Sequence, residues 1–271
     1  MRDSSWAKRS VVLLAVLAFG AGRAHGQPAV KEVVEHASYI FQGTIVKTAA
    51  TNVRSFPASP RTAVVRVDHV LDAGKGFPDM TGHELTVELP DAKEVRPAAS
   101  LVFFTEPTVY AENIAVRASS VRPAQQVDKL RAQIADARQQ LADDQLRRRL
   151  SAADLVVSGV VASVRRVPPP RDASARRSEH EPELWQAELS VQAILKGTPP
   201  ANKTIVFTFV SGVDQMWALS PRFKGGEQGI FMLSKNTNPR ISATGLVIVD
   251  PLAHQQASEE ARIKQLVKAT R

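Results

Sequence analysis

Two stretches of this sequence repeat one another, and that duplication restricts the possible fold more than any other feature. Residues 37–46 read ASYIFQGTIV and residues 153–161 read ADLVVSGVV, so that Ala37 answers to Ala153 and Gly43 to Gly159. The order that follows is shared. Ala63 to Leu71 corresponds to Trp185 to Leu195, LTVEL at 85–89 to IVFTF at 205–209, and LVFF at 101–104 to IFML at 230–233. Each copy closes with a short strand and a helix. The offset between copies grows from 116 to about 129 as loops differ in length. A fixed order of matching elements is the mark of a repeated structural unit.

The repeated segments alternate with period two. Leu189, Val191 and Ala193 lie opposite Glu188, Ser190 and Gln192, and Val65, Val67 and His69 lie opposite Val64, Arg66 and Asp68. Successive strand residues point to opposite faces, so one face meets a core and the other meets water. Short strands separated by Gly and Pro turns argue for sandwiches or small barrels. Between the copies, Val127, Leu130, Ile134, Ala137 and Leu141 recur at helical spacing behind Pro123. That stripe predicts an amphipathic helix over about 124–149, packed on a barrel or between two. A coiled coil is the alternative. A second helix is expected at Glu259 to Lys268, with Ala261, Ile263, Leu266 and Val267 as its apolar set.

The second copy carries a further pattern. AADLVVSGVV, a strand ending in ILKG (Ile194 to Gly197) and GGEQGIFML (Gly225 to Leu233) resemble the netrin-like module, which includes the tissue inhibitors of metalloproteinases. The first copy follows more loosely, with VLDAGKG (Val70 to Gly76) at the corresponding corner. The resemblance implies OB-fold barrels with flanking helices and a habit of binding macromolecules. It implies a mainly β chain: two tandem OB-like (netrin-like) β-barrels joined by an amphipathic helix. The expected organisation is a leader at 1–26, a first barrel at 27–122, the joining helix at 123–150, and a second barrel with its C-terminal helix at 151–271. Inhibitors that the pattern resembles place an N-terminal cysteine on a catalytic zinc. This sequence contains no cysteine, so that chemistry does not carry over.

The first residues read as a secretory signal peptide. A basic start with Arg2, Lys8 and Arg9 precedes an apolar run from Val11 to Phe19. Small residues follow at Ala24-His25-Gly26, so cleavage is expected near Gly26-Gln27, or after Ala24. The apolar run falls short of the about 20 residues a spanning helix needs. The expected product is exported, periplasmic or extracellular, and soluble, with no stable membrane anchor. The net charge is +8; Arg2, Lys8, Arg9 and Arg23 against Asp3 give the leader +3, leaving about +5 after cleavage. That is a mild basic excess.

No arrangement of residues specifies catalysis, a metal or a cofactor. The histidines (His25, His36, His69, His83, His180, His254) show no metal-ligand spacing, Gly225-Gly226 lacks the lysine and hydroxyl of a phosphate loop, and no G-x-S-x-G occurs. Asp143-Asp144 read as helix-surface charges. The candidate binding residues are basic. Arg165, Arg166, Arg171, Arg176 and Arg177 surround Pro168-Pro169-Pro170 between the first two strands of copy two; Trp217, Arg222 and Lys224 lie in a second long loop. Arginine recognises phosphates and carboxylates through its planar fork, and aromatics in a basic groove stack bases. The same composition also reads as a solvated loop, because Glu179, Glu181 and Glu183 follow. The expected function is therefore non-enzymatic binding of a protein or cell-envelope polymer. The alternative is electrostatic binding of an anionic polymer, nucleic acid or acidic glycan. An unrecognised hydrolase is the third reading.

Overall fold

The computed structural model describes residues 29–269 apart from 75, 95, 111–112, 125–126, 169–182, 199–201, 213, 238–244 and 249. The leader therefore lies outside the described residues. A short helix, α1 (Val30–His36), leads into five strands: β1 (Tyr39–Thr48), β2 (Thr62–Ala73), β3 (Glu84–Glu88), β4 (Ser100–Tyr110) and β5 (Ile114–Pro123). They close in the order β1-β2-β3-β5-β4, with β3 and β5 parallel and every other pair antiparallel. A five-stranded closed barrel of this order is an OB fold.

A long helix, α2 (Val127–Ala152), follows, and then the same course is run again: β6 (Leu155–Arg166), β7 (Glu183–Lys196), β8 (Thr204–Ser211), β9 (Gln228–Lys235), β10 (Leu246–Ile248), β11 (His254–Gln256) and α3 (Glu260–Ala269). β10 pairs parallel with β8 and antiparallel with β9, which closes the second ring. β11 pairs with β9 further along. Together β10 and β11 do what β5 does alone, interrupted by a 3-10 turn at Pro251–Ala253.

The duplication extends to the irregularities. β1 shifts register against β2 at Ile40/Phe41, Gln42/Gly43 and Ile45/Lys47; β6 shifts against β7 at Val156/Val157, Ser158/Gly159 and Val161/Ser163. The three bulges coincide at an offset of 116. Bulges bend and twist a strand, as a small barrel requires. Glycine sits at the second bulge in both copies for one reason. A Cβ on Gly43 would lie 2.7 Å from the Arg66 carbonyl oxygen, and one on Gly159 2.5 Å from that of Ser190. In the fourth strand the apolar match of 101–104 to 230–233 is one residue out of step. Leu101 faces Gly43 and Gly229 faces Gly159, so Phe103 answers to Phe231. A one-residue slip exchanges the two faces of a strand. Apolar runs alone pair wrongly here because Gly229 stands where barrel 1 has Leu101.

Both faces of the first strand are buried. Tyr39, Phe41 and Phe103 point into barrel 1 with Val65, Leu85, Val87 and Val116. Ile40, Val102 and Phe104 point outward, onto Val33 and Val34 of α1 and Leu130, Ile134 and Ala137 of α2. In barrel 2 the same outward positions, Val156 and Met232, share a core with Leu146 and Leu150 of α2 and Ile263, Leu266 and Val267 of α3. Ala261, expected among the apolar set of α3, is exposed.

Thus α2 is more than a joining helix. Its first half belongs to barrel 1 and its second half to barrel 2. From Leu141 to Leu146 is five residues, about 500° of helical turn, so the second stripe lies nearly opposite the first. Asp143 and Asp144 sit at that crossover and are more than surface charges. Asp144 accepts from Lys31 of α1 at 2.7 Å and from Arg147 at 2.8 Å. Asp143 accepts from Arg262 of α3.

Candidate functional site

An OB barrel offers the outer face of its second and third strands, with the adjoining loops, as a binding surface. In barrel 1 that face is covered by the chain itself. The loop at 49–61 lies over β2 and β3, burying Val53, Thr62, Val64 and Thr86 to 3% exposure or less. The backbone N–H of Asn52 donates to the Thr86 hydroxyl at 2.9 Å, and the Asn52 side-chain amide donates to the Glu84 carbonyl at 2.9 Å. Arg61 and Arg117 both donate to Glu88 beside it, at 2.7 and 2.9 Å.

Among the described residues, barrel 2 is more open. Glu188 stands exposed and Val206 half-buried at the positions of Val64 and Thr86. The alternation of β7 carries Glu183, Trp185, Ala187 and Leu189 along its inner side. Ala187 and Leu189 are fully buried, whereas Glu183 and Trp185 emerge at the mouth of the barrel. There they line an open cleft of about 330 Å3 with Ser211, Gly212 and Arg222. The indole of Trp185 is backed by Phe209, ring centroids 6.5 Å apart.

The residues singled out from sequence divide three ways. Arg171, Arg176 and Arg177 lie outside the described residues. Arg165 and Arg166 end β6, and as neighbours in a strand they point to opposite sides. Arg166 bridges to Glu183 at 2.6 Å, at the cleft. Arg165 donates to the Gln186 side-chain oxygen at 3.0 Å, on the outer face. The loop from Gly212 to Glu227 carries the rest. Arg222 is exposed and donates to the Gly212 carbonyl at 3.3 Å. Trp217 lies so close over Gly212 that a Cβ there would come within 2.7 Å of its Cδ1. Lys224 has an exposed side chain, and its backbone N–H donates to Glu227 at 3.0 Å. The structure therefore brings Arg166, Arg222 and Trp217 to one mouth and sets Arg165 apart. Glu183 and Trp185, which sequence reasoning did not select, complete the cleft. The signal was available, because an acid and an indole at inward positions of an alternating strand mark a barrel end.

The loop is anchored from beneath. Phe223 packs edge-on to Phe207 and Phe209, with interplanar angles of 87° and 86°, and edge-on to His254 at 5.4 Å. His254 stands where barrel 1 has Val121, and the absent side chain of Gly229 makes room for its ring. Burial lowers the imidazole pKa, outweighing Glu227, whose carboxylate lies 3.6 Å from Nδ1. Among the described residues, no group of three His, Asp or Glu could hold a metal ion, and no helix is long and apolar enough to cross a membrane.

No known protein family matches this chain, and no curated protein matches it. Among solved structures, a single-stranded DNA binding protein from Thermus aquaticus is similar over 80% of this chain and 91% of that one. Its identity is 10% and its TM-score 0.20. The fold assignment rests instead on strand order and pairing. These define a tandem OB-fold protein with flanking helices, each barrel built on the same bulged first strand.

Proposed function

We propose that this is an exported binding protein whose second barrel holds an anionic polymer. One observation carries the reading. Barrel 1 covers its own binding face, while barrel 2 opens a cleft at its mouth lined by the indole of Trp185, the guanidinium of Arg222 and the carboxylate of Glu183, which Arg166 bridges. Arginine pairs with phosphate or carboxylate oxygens through parallel N–H donors, and the indole offers a flat apolar surface. Single-stranded nucleic acid and acidic glycan share the required chemistry. The leader supports export, and the flanking helices support the netrin-like reading of both barrels. The test is a salt titration of residues 27–271 with a labelled oligothymidylate and an oligouronate. With about three charge contacts, affinity falls about 20-fold from about 50 to about 200 mM salt. Binding of neither ligand at the lower salt overturns the reading.

A second reading, docking of a protein partner, is favoured by Leu219. This side chain is 82% exposed on the loop that carries Trp217 and Arg222. Capture of a partner that survives high salt and is lost in Leu219→Ser supports it over the polymer reading.

A further inference from the structure

We propose that the cleft at the mouth of barrel 2 is a pocket for one carboxylated sugar ring, so that the polymer held there is an acidic glycan. This rests on the anionic-polymer reading and narrows it. The cleft volume, about 330 Å3, lies at the low end for ligand pockets and suits a single ring rather than a chain. Its walls divide the work. Trp185, braced by Phe209, offers a fixed flat surface to the apolar face of a pyranose. Arg222, exposed and steered by the Gly212 carbonyl, presents N–H donors to a carboxylate. Ser211 and Glu183 complete the lining with hydroxyl and carboxylate oxygens.

Glu183 decides between the two anionic polymers. Its carboxylate, bridged to Arg166 at 2.6 Å, accepts from the free hydroxyls that a pyranose ring carries and that the backbone of a deoxyoligonucleotide lacks. A uronic acid offers hydroxyls to Glu183 and Ser211 and a carboxylate to Arg222 on a single ring. Gly212 fixes the floor. Trp217 fills the space that a side chain on Gly212 would take, so this wall tolerates only glycine.

The experiment is calorimetric titration of residues 27–271 with three probes: trigalacturonic acid, its methyl ester, and an oligothymidylate of matched charge. The acid is expected to bind at least about tenfold more tightly than the ester, and more tightly than the oligothymidylate. Arg222→Gln is expected to erase the acid–ester difference while leaving the melting temperature unchanged. Equal binding of acid and ester, or a persistent difference in Arg222→Gln, overturns the assignment of the carboxylate to Arg222. Tighter binding of the oligothymidylate overturns the glycan and leaves the anionic-polymer reading standing. Absence of binding by either anion overturns both.

Discussion

His254 shows how one residue separates two copies of a fold. Barrel 1 fills the corresponding interior position with Val121; barrel 2 inserts an imidazole between Phe223 and Phe231 and clears space for it with Gly229. Burial holds its folded pKa below the ordinary value of 6.5. A histidine whose folded pKa is depressed stabilises the fold above the unfolded value, and that contribution is lost as pH falls through about 6.5 toward the folded value. Asp144 and Glu260, whose pKa values are lowered chiefly by hydrogen bonds from Lys31 and Lys264, lose their contributions at more acidic pH. The melting temperature is therefore expected to drop between pH 7.5 and 5.5, and the drop to shrink in His254→Val. Thermal melts of both proteins at the two pH values check this; equal drops would remove the histidine from the account. From sequence, His254 is one unpaired histidine among six. Its environment depends on Gly229 of the neighbouring strand, 25 residues earlier in the chain, which no local spacing reveals.

At the scale of elements, the two barrels solve one problem with opposite charges. The last carbonyls of a helix need donors. At the end of α1, Arg138 of α2 donates to the carbonyls of Val34 and Ala37 and is held by Asp72 on β2. At the end of α2, the residue in the position of Asp72 is Lys196, and it donates to the carbonyls of Leu150, Ser151 and Ala153 at 2.6, 3.0 and 2.7 Å. Lys196→Ala leaves that cluster without its cation and is expected to cost about 1–3 kcal/mol. Urea denaturation measures it, and a change below about 0.5 kcal/mol would mean that water replaces the lysine. Strands and helices were legible in sequence because alternation and helical stripes are local. The exchange of Asp72 for Lys196 was not, since the carbonyls it serves lie some 45 residues away. The cleft was legible in part. Arg222 and Trp217 stood out by residue type, whereas Glu183 and Trp185 looked like ordinary members of a strand.

At the scale of the whole molecule, the joining helix is the structural event. Read from sequence it is a connector with a stripe from Val127 to Leu141, and that stripe is real. Leu146 and Leu150 escape the pattern because the step of five after Leu141 turns them to the other side. A helix shared in this way couples the stabilities of the two barrels. Gln140 is exposed near the crossover. Gln140→Pro removes a backbone donor and is expected to cost about 3 kcal/mol in the helix. One cooperative calorimetric transition in the parent is expected to become two in the variant. Two transitions in both proteins would show that α2 transmits nothing.

The same sharing sets an order of events during synthesis. Barrel 1 can seal as soon as Leu130, Ile134 and Ala137 have emerged to cover its outer face. Leu146 and Leu150 then ride on a half-helix with nothing to cover until β6 and β9 have been made, more than 80 residues later for the last of them. For that interval the nascent chain displays a greasy ledge beside a finished domain, a feature that holdases recognise and that invites misassembly with a neighbouring chain at the same stage.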